Sequence, residues 1–271
     1  MRGTGVRRAA RVQLRAKGRE KAVNVSESSL PTMPLSEHLA ELRRRIIVSG
    51  LAWLAASAAA WPYVHEVVTY LSGQVGRLVF VTPAEAFVSL LKIATILGLI
   101  VSSPVILVEA WLFVLPGLFP HERKLVYRLA PVVVLLFVLG ILFSWFVMLP
   151  FMLNFFLGFE NERIHATITI SRFLGFLIGV TLPFGVVFQL PLVTYTLTRI
   201  GAVPARFWAR QRRYVLLLAF IVGAVLTPPD PVSQTLLAVP LILLYEVGAW
   251  LARVAERRHR QSALLPREVE P

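Results

Sequence analysis

Acidic side chains beside arginine runs are the residues of this chain best suited to chemistry. Glu37 and Glu41 precede Arg43, Arg44 and Arg45, and Glu122 stands in a second polar stretch between two apolar blocks. A carboxylate takes a guanidinium through parallel N–H donors, so two carboxylates presented from separate elements on one basic surface can together hold guanidinium groups. The same spacing also lets Glu37 and Glu41 pair with Arg44 or Arg45 along a helix, for about 0.2–0.5 kcal/mol. Spacing alone favours that simpler pairing. A second set of ionisable residues, Glu85, Lys92, Glu109 and Glu246, falls within or beside apolar blocks. Glu85 and Lys92 are two helical turns apart and share a face. A charge at the middle of a membrane helix costs about 2.5–3.5 kcal/mol on insertion scales, so such residues face a partner, a cavity or the interface. They fit either an ion pair between helices or a wet cavity, and the cavity reading is what a solute or ion transporter would need. Gln189, also mid-block, offers a neutral amide that bonds across helices for about 1 kcal/mol or less.

Enzyme chemistry finds no footing. The chain has no paired His-Glu metal motif, glycine-rich phosphate loop or nucleophile elbow. His38, His65, His121, His165 and His259 are dispersed over different segments, so no metal site is expected, and no cofactor is implied. Cysteine is absent, which removes disulfides, thiolate metal ligands and a cysteine nucleophile.

The elements that must position these groups are membrane helices. The chain is 56% hydrophobic and 16% charged, and its apolar residues lie in six long blocks, against the roughly 20 apolar residues that cross a bilayer. The spacing predicts spans over 45–63, 83–115, 125–150, 173–197, 214–226 and 232–251, with Pro183 and Pro191 kinking the fourth. The fifth block is too short for an ordinary crossing, and Thr227-Pro228-Pro229-Asp230-Pro231 forces a tight turn between it and the sixth. Residues 1–33 read as a basic, disordered cytoplasmic tail, 34–252 as one membrane domain and 253–271 as a cytoplasmic tail. The net charge of +13 comes from basic residues at the ends of apolar blocks, which argues for membrane orientation and against nucleic-acid binding. Twenty-four of the 28 Lys and Arg fall on one side when alternate connections are counted, so the positive-inside rule predicts both termini in the cytoplasm.

Several stretches together resemble the TatC family. They are His38-Leu39-Ala40-Glu41-Leu42-Arg43, Pro83-Ala84-Glu85-Ala86-Phe87 with Lys92, Ser103-Pro104-Val105 with Trp111, and Leu115-Pro116-Gly117-Leu118 with His121-Glu122-Arg123. Phe184-Gly185 with Pro191, Arg213-Tyr214, Leu226-Thr227-Pro228-Pro229-Asp230 and Ser233-Gln234-Thr235-Leu236-Leu237-Ala238 continue it to Tyr245-Glu246. The resemblance covers about residues 33 to 255. It implies an all-α, six-span, cup-like bundle in the cytoplasmic membrane with short fifth and sixth helices. It implies a receptor that binds the twin-arginine signal peptides of folded export substrates, using proton-motive force and no catalysis. By the same resemblance Glu41 and Glu122 match the signal-peptide carboxylates, with Arg43 and Phe113 nearby, which reverses the preference that spacing alone gives. Thr227 and Gln234 match a polar cluster where single-span TatA-type and TatB-type subunits dock, flanking the Pro228-Pro229-Asp230 turn, and other TatC copies are expected partners. Many family members carry Glu where this chain has Gln189, so a protonatable group is missing there.

Overall fold

The computed structural model describes residues 35–76, 78–113, 120–159, 167–226 and 230–264, with backbone alone for 35–36, 120–122 and 258–264. The tail expected over 1–33, the Thr227-Pro228-Pro229 turn and the side chain of Glu122 lie outside the described residues.

Helix α1 (Leu35–Ala60) begins ten residues before the span expected from Arg45, because the polar residues ahead of the arginine run extend the same helix. At Trp61–Tyr63 the chain tightens into one 3₁₀ turn around Pro62, which has no N–H to continue the ladder, and α2 (Val64–Val75) follows. Helix α2 occupies a stretch expected to be a plain connection. Val64 and Leu71, two turns apart, are buried along one side of it, and that stripe holds the segment against the bundle.

Helix α3 (Pro83–Leu112) is the axial element. Its start is a capping box. Thr82 Oγ1 accepts from the Glu85 N–H at 3.2 Å, and Glu85 Oε2 accepts from the Val81 N–H at 2.7 Å. Pro104 lies inside α3 and leaves the carbonyl of Ile100 without its helical donor; the Ser103 hydroxyl donates to that carbonyl at 2.7 Å instead. A proline in a membrane helix is tolerated when a neighbouring hydroxyl answers the freed carbonyl in this way.

The antiparallel packing of α1 on α3 is close enough to exclude a side chain at Gly98. A Cβ there would lie 2.5 Å from Ser57 N and Cα. One turn away on α1, Trp53 Nε1 donates to the Thr95 carbonyl at 2.9 Å. Small residues let backbones approach and gain dispersion where no hydrophobic drive exists between helices in lipid.

The third span is α4 (Pro120–Phe143), one π-helical turn (Ser144–Met148) and α5 (Leu149–Leu157). It crosses the fourth span, whose first part is α6 (Ile170–Val187), with Phe137 and Phe143 against Phe184 and Gly185. Phe184 is wholly buried, and Ser144 donates to Thr181 Oγ1 at 3.3 Å across the same interface. The fourth span breaks at Phe188-Gln189 and resumes as α7 (Leu190–Arg199). Pro191 falls in the first turn of α7, where a missing N–H is harmless, whereas Pro183 sits inside α6 without interrupting it. The connections entering α3 and α6 touch through one parallel β-bridge, Val79 to Thr169.

A short helix α8 (Ala205–Arg210) leads to α9 (Arg212–Leu226) and α10 (Pro231–Leu264). Among the described residues, five helical stretches are long and apolar enough to cross a membrane: 37–75, 83–112, 123–157, 170–199 and 231–257. Helix α9, the expected short fifth block, has 15 residues, or about 22 Å at 1.5 Å per residue, against roughly 30 Å of hydrocarbon. Helix α10 runs past the 252/253 boundary expected between membrane domain and tail. Charged residues from Arg253 onward extend the same helix, since Arg and Glu are good helix formers in water.

Candidate functional site

One end of the bundle gathers the first turns of α1, the last turn of α3 and the first turns of α4. Arg45 is its hub. Its Nη2 forms an ion pair with Glu41 Oε1 one turn back at 2.5 Å, and its Nη1 donates to Glu109 Oε2 at 2.9 Å and to the Glu109 carbonyl at 3.2 Å. The pairing of Glu41 with an arginine of its own helix, which spacing favours, is therefore present. It is half of a bridge that also fastens α1 to α3. Arg45 is 15% exposed, whereas Glu41 and Glu109 are 29% and 26% exposed, so the cation lies beneath two carboxylates that keep contact with the outside.

Phe113, the residue following α3, stacks on His38 with ring centroids 4.5 Å apart. His38 precedes Glu41 by one helical turn on α1. The aromatic pair thus borders the Glu41 carboxylate on the side away from Arg45 along the helix. Arg43 is exposed on the same stretch of α1. Glu122 lies in the first turn of α4, one turn before Val126, whose carbonyl accepts from Trp111 Nε1 at 2.9 Å. This bond sets the start of α4 against the end of α3.

Other expected residues fall elsewhere. Glu85 and Lys92 share α3 but form no ion pair among the described residues: Glu85 is spent on the capping box and Lys92 is exposed. Glu109 is paired to Arg45, and Glu246 pairs with Arg212 at 2.6 Å across α9 and α10. Gln189, at the break between α6 and α7, donates Nε2 to the Val133 carbonyl of α4 at 3.1 Å, the interhelical amide bond its position suggested. It borders a mostly apolar cavity of about 400 Å³ shared with Trp111, Val126 and Thr196.

Gln234 donates Nε2 to the Phe220 carbonyl at 2.8 Å, tying α10 to α9. Asp230 accepts from the Ser233 N–H at 2.7 Å and caps α10, which is the stop-and-turn role its motif indicates. Thr227, Pro228 and Pro229 are outside the described residues.

Sequence reasoning passed over Glu109 and Arg45 as members of one site. Both signals were visible separately, a carboxylate near the end of one apolar block and an arginine at the start of the preceding one. An antiparallel hairpin brings such positions to the same depth, but the register that makes them meet is set by the Ser57–Gly98 approach, which no charge pattern reveals.

Comparison with known proteins agrees with this architecture. The family model described as Sec-independent protein translocase protein (TatC) matches residues 37–240. The chain is 42% identical over 226 residues to the Sec-independent protein translocase protein TatC of Carboxydothermus hydrogenoformans, covering 82% of this chain and 93% of that protein. It is 33% identical over 239 residues to that of Escherichia coli K12, covering 85% and 93%. A crystal structure of the twin arginine translocase receptor TatC superposes with a TM-score of 0.73 at 35% identity, covering 80% of this chain and 99% of that one. The chain belongs to the TatC family of Sec-independent protein translocase proteins.

Proposed function

We propose that this chain is the signal-peptide receptor and core subunit of a twin-arginine translocase, exporting folded proteins across the cytoplasmic membrane at the expense of proton-motive force. It crosses six times, α9 being the short fifth span, with both termini cytoplasmic. The bias of Lys and Arg to one set of connections supports this orientation.

The observation that carries the reading is the carboxylate-bearing end of the bundle. Glu41 keeps 29% of its side chain exposed, and Glu122 falls in the first turn of the neighbouring helix. Each carboxylate takes one guanidinium of the export signal through a fork that lysine cannot reproduce. Arg43 and Phe113 border the site. Helices α9 and α10, with Gln234 and Thr227, dock single-span TatA-type and TatB-type subunits, and further TatC copies complete the complex. The chain acts by binding and assembly, without catalysis. Charge reversal tests the site. Glu122→Lys should abolish photo-crosslinking to a twin-arginine signal peptide while membrane insertion stays normal; undiminished crosslinking would remove Glu122 from it. A signal with both arginines replaced by glutamine should crosslink no better to the unaltered protein than to that variant.

A further inference from the structure

We infer that Arg45 is an internal stand-in for the signal's guanidinium, and that Glu109 holds it when a signal takes Glu41. This inference rests on the reading that Glu41 receives an arginine of the export signal. In the structure Glu41 already has a guanidinium on it, the Arg45 Nη2 at 2.5 Å. A signal therefore binds by exchange, displacing one arginine with another.

The geometry makes the exchange one-sided. Arg45 meets Glu41 in an ion pair through Nη2, but gives Glu109 two hydrogen bonds through Nη1, to the carboxylate and to the backbone carbonyl. Releasing Glu41 leaves Arg45 held by α3 at the same depth, with its charge compensated. Releasing Glu109 would instead strand a mostly buried cation on a pair within one helix, the weaker kind of contact. Arg45 Nε is buried without a hydrogen-bond partner among the described residues, so the bridge is incompletely satisfied as it stands and has a donor left over for a rearranged state. Glu41 is thus the releasable half and Glu109 the parking site.

The exchange sets a threshold, not a preference. Displacing Arg45 is a cost common to every incoming cation, so it lowers the apparent affinity of Arg-Arg and Lys-Lys signals by the same factor, and discrimination between them stays with the fork geometry at the binding carboxylates. The Arg45–Glu109 pair accordingly limits how tightly any signal is held.

The test titrates two labelled signal peptides, one with Arg-Arg and one with Lys-Lys, against the full-length chain in membrane vesicles. Arg45→Gln, which frees Glu41 of its competitor, should tighten both peptides by about threefold or more with their ratio unchanged. Glu109→Gln, which leaves Arg45 with only Glu41 as a charged partner, should weaken both by about threefold or more. Unchanged or weakened binding in Arg45→Gln, or unchanged binding in Glu109→Gln, overturns the inference. If Arg45→Gln fails to accumulate in the membrane, Glu109→Gln alone decides. Glu41→Gln separates the layers. If it binds Arg-Arg as well as the unaltered protein does, the receptor reading itself fails; if it binds poorly while the Arg45 and Glu109 variants bind as the unaltered protein does, only the exchange fails.

Discussion

Replacing Gly98 by alanine should loosen α1 from α3, and the structure fixes both the size of the effect and what cannot repair it. The added Cβ would lie 2.5 Å from Ser57 N and Cα, against an ordinary contact of 3.4–4 Å, so the helices must part by about 1 Å. Parting by that amount carries the Trp53 Nε1 bond to Thr95 from 2.9 Å to about 3.9 Å, beyond hydrogen-bond reach. Overpacking of this kind costs about 1–3 kcal/mol, and the broken bond adds about 1 kcal/mol. At about 2–4 °C per kcal/mol for a chain of this size, the midpoint should fall by roughly 4–16 °C. Thermal denaturation of the detergent-solubilised protein, followed by fluorescence-detected size-exclusion chromatography, reads the shift. Adding Ser57→Ala removes the Oγ that would collide with the new Cβ but leaves the backbone atoms in place, so the double variant should stay destabilised. A Gly98→Ala protein that melts with the unaltered one, or a full rescue by Ser57→Ala, would refute the backbone-to-backbone approach on which the α1–α3 register is argued.

The other expectations concern single backbone groups. Ser103→Ala leaves the Ile100 carbonyl without its substitute donor and should cost about 1–3 kcal/mol; adding Pro104→Ala restores a helical N–H and should recover most of that, a non-additivity that a double-mutant cycle of melting midpoints would detect. Asp230→Ala removes the cap of α10 and should cost about 1 kcal/mol, while Asp230→Asn should be near neutral, again read from the melting midpoint.

Legibility in the sequence followed the physics of each signal. Long apolar blocks exposed α1, α3, α4 and α6 because the bilayer demands a minimum length, and the basic connections offered an orientation because charge at block ends is not averaged away by packing. The short α9 was also visible, as an apolar run that stops at Thr227. Helix α2 was not: its Val64 and Leu71 stripe is interrupted by His65, Glu66 and Gln74, so its hydropathy reads as a connection even though its buried side packs. Glu85 misled in the opposite way. It looked like an intramembrane charge facing Lys92, yet the Thr82-Pro83-Ala84-Glu85 order is also a capping box, and backbone donors one turn away outbid a lysine two turns away. At the site, Glu41 and Phe113 were reachable through the family resemblance, but the bridge from Arg45 to Glu109 depends on helix register, which a single sequence does not encode in any short motif.

That register ties the receptor end to packing far from it. Gly98 and Glu109 are eleven residues apart on α3, about 16 Å along the axis, and Ser57 and Arg45 are separated by twelve residues on α1. If the helices slipped by one residue at the Ser57–Gly98 contact, every pair between them would shift by about 1.5 Å and rotate by about 100°, enough to turn Glu109 away from Arg45. Glu41 would then be left with Arg45 as a full-time partner from its own helix, and an incoming arginine would meet a pair with nowhere to release its cation. The close backbone approach at mid-membrane therefore does more than hold two helices together. It decides whether the carboxylate at the rim is available for exchange, and variants at Gly98 that remain folded should weaken Arg-Arg signal binding while leaving Glu41 and Glu122 chemically intact.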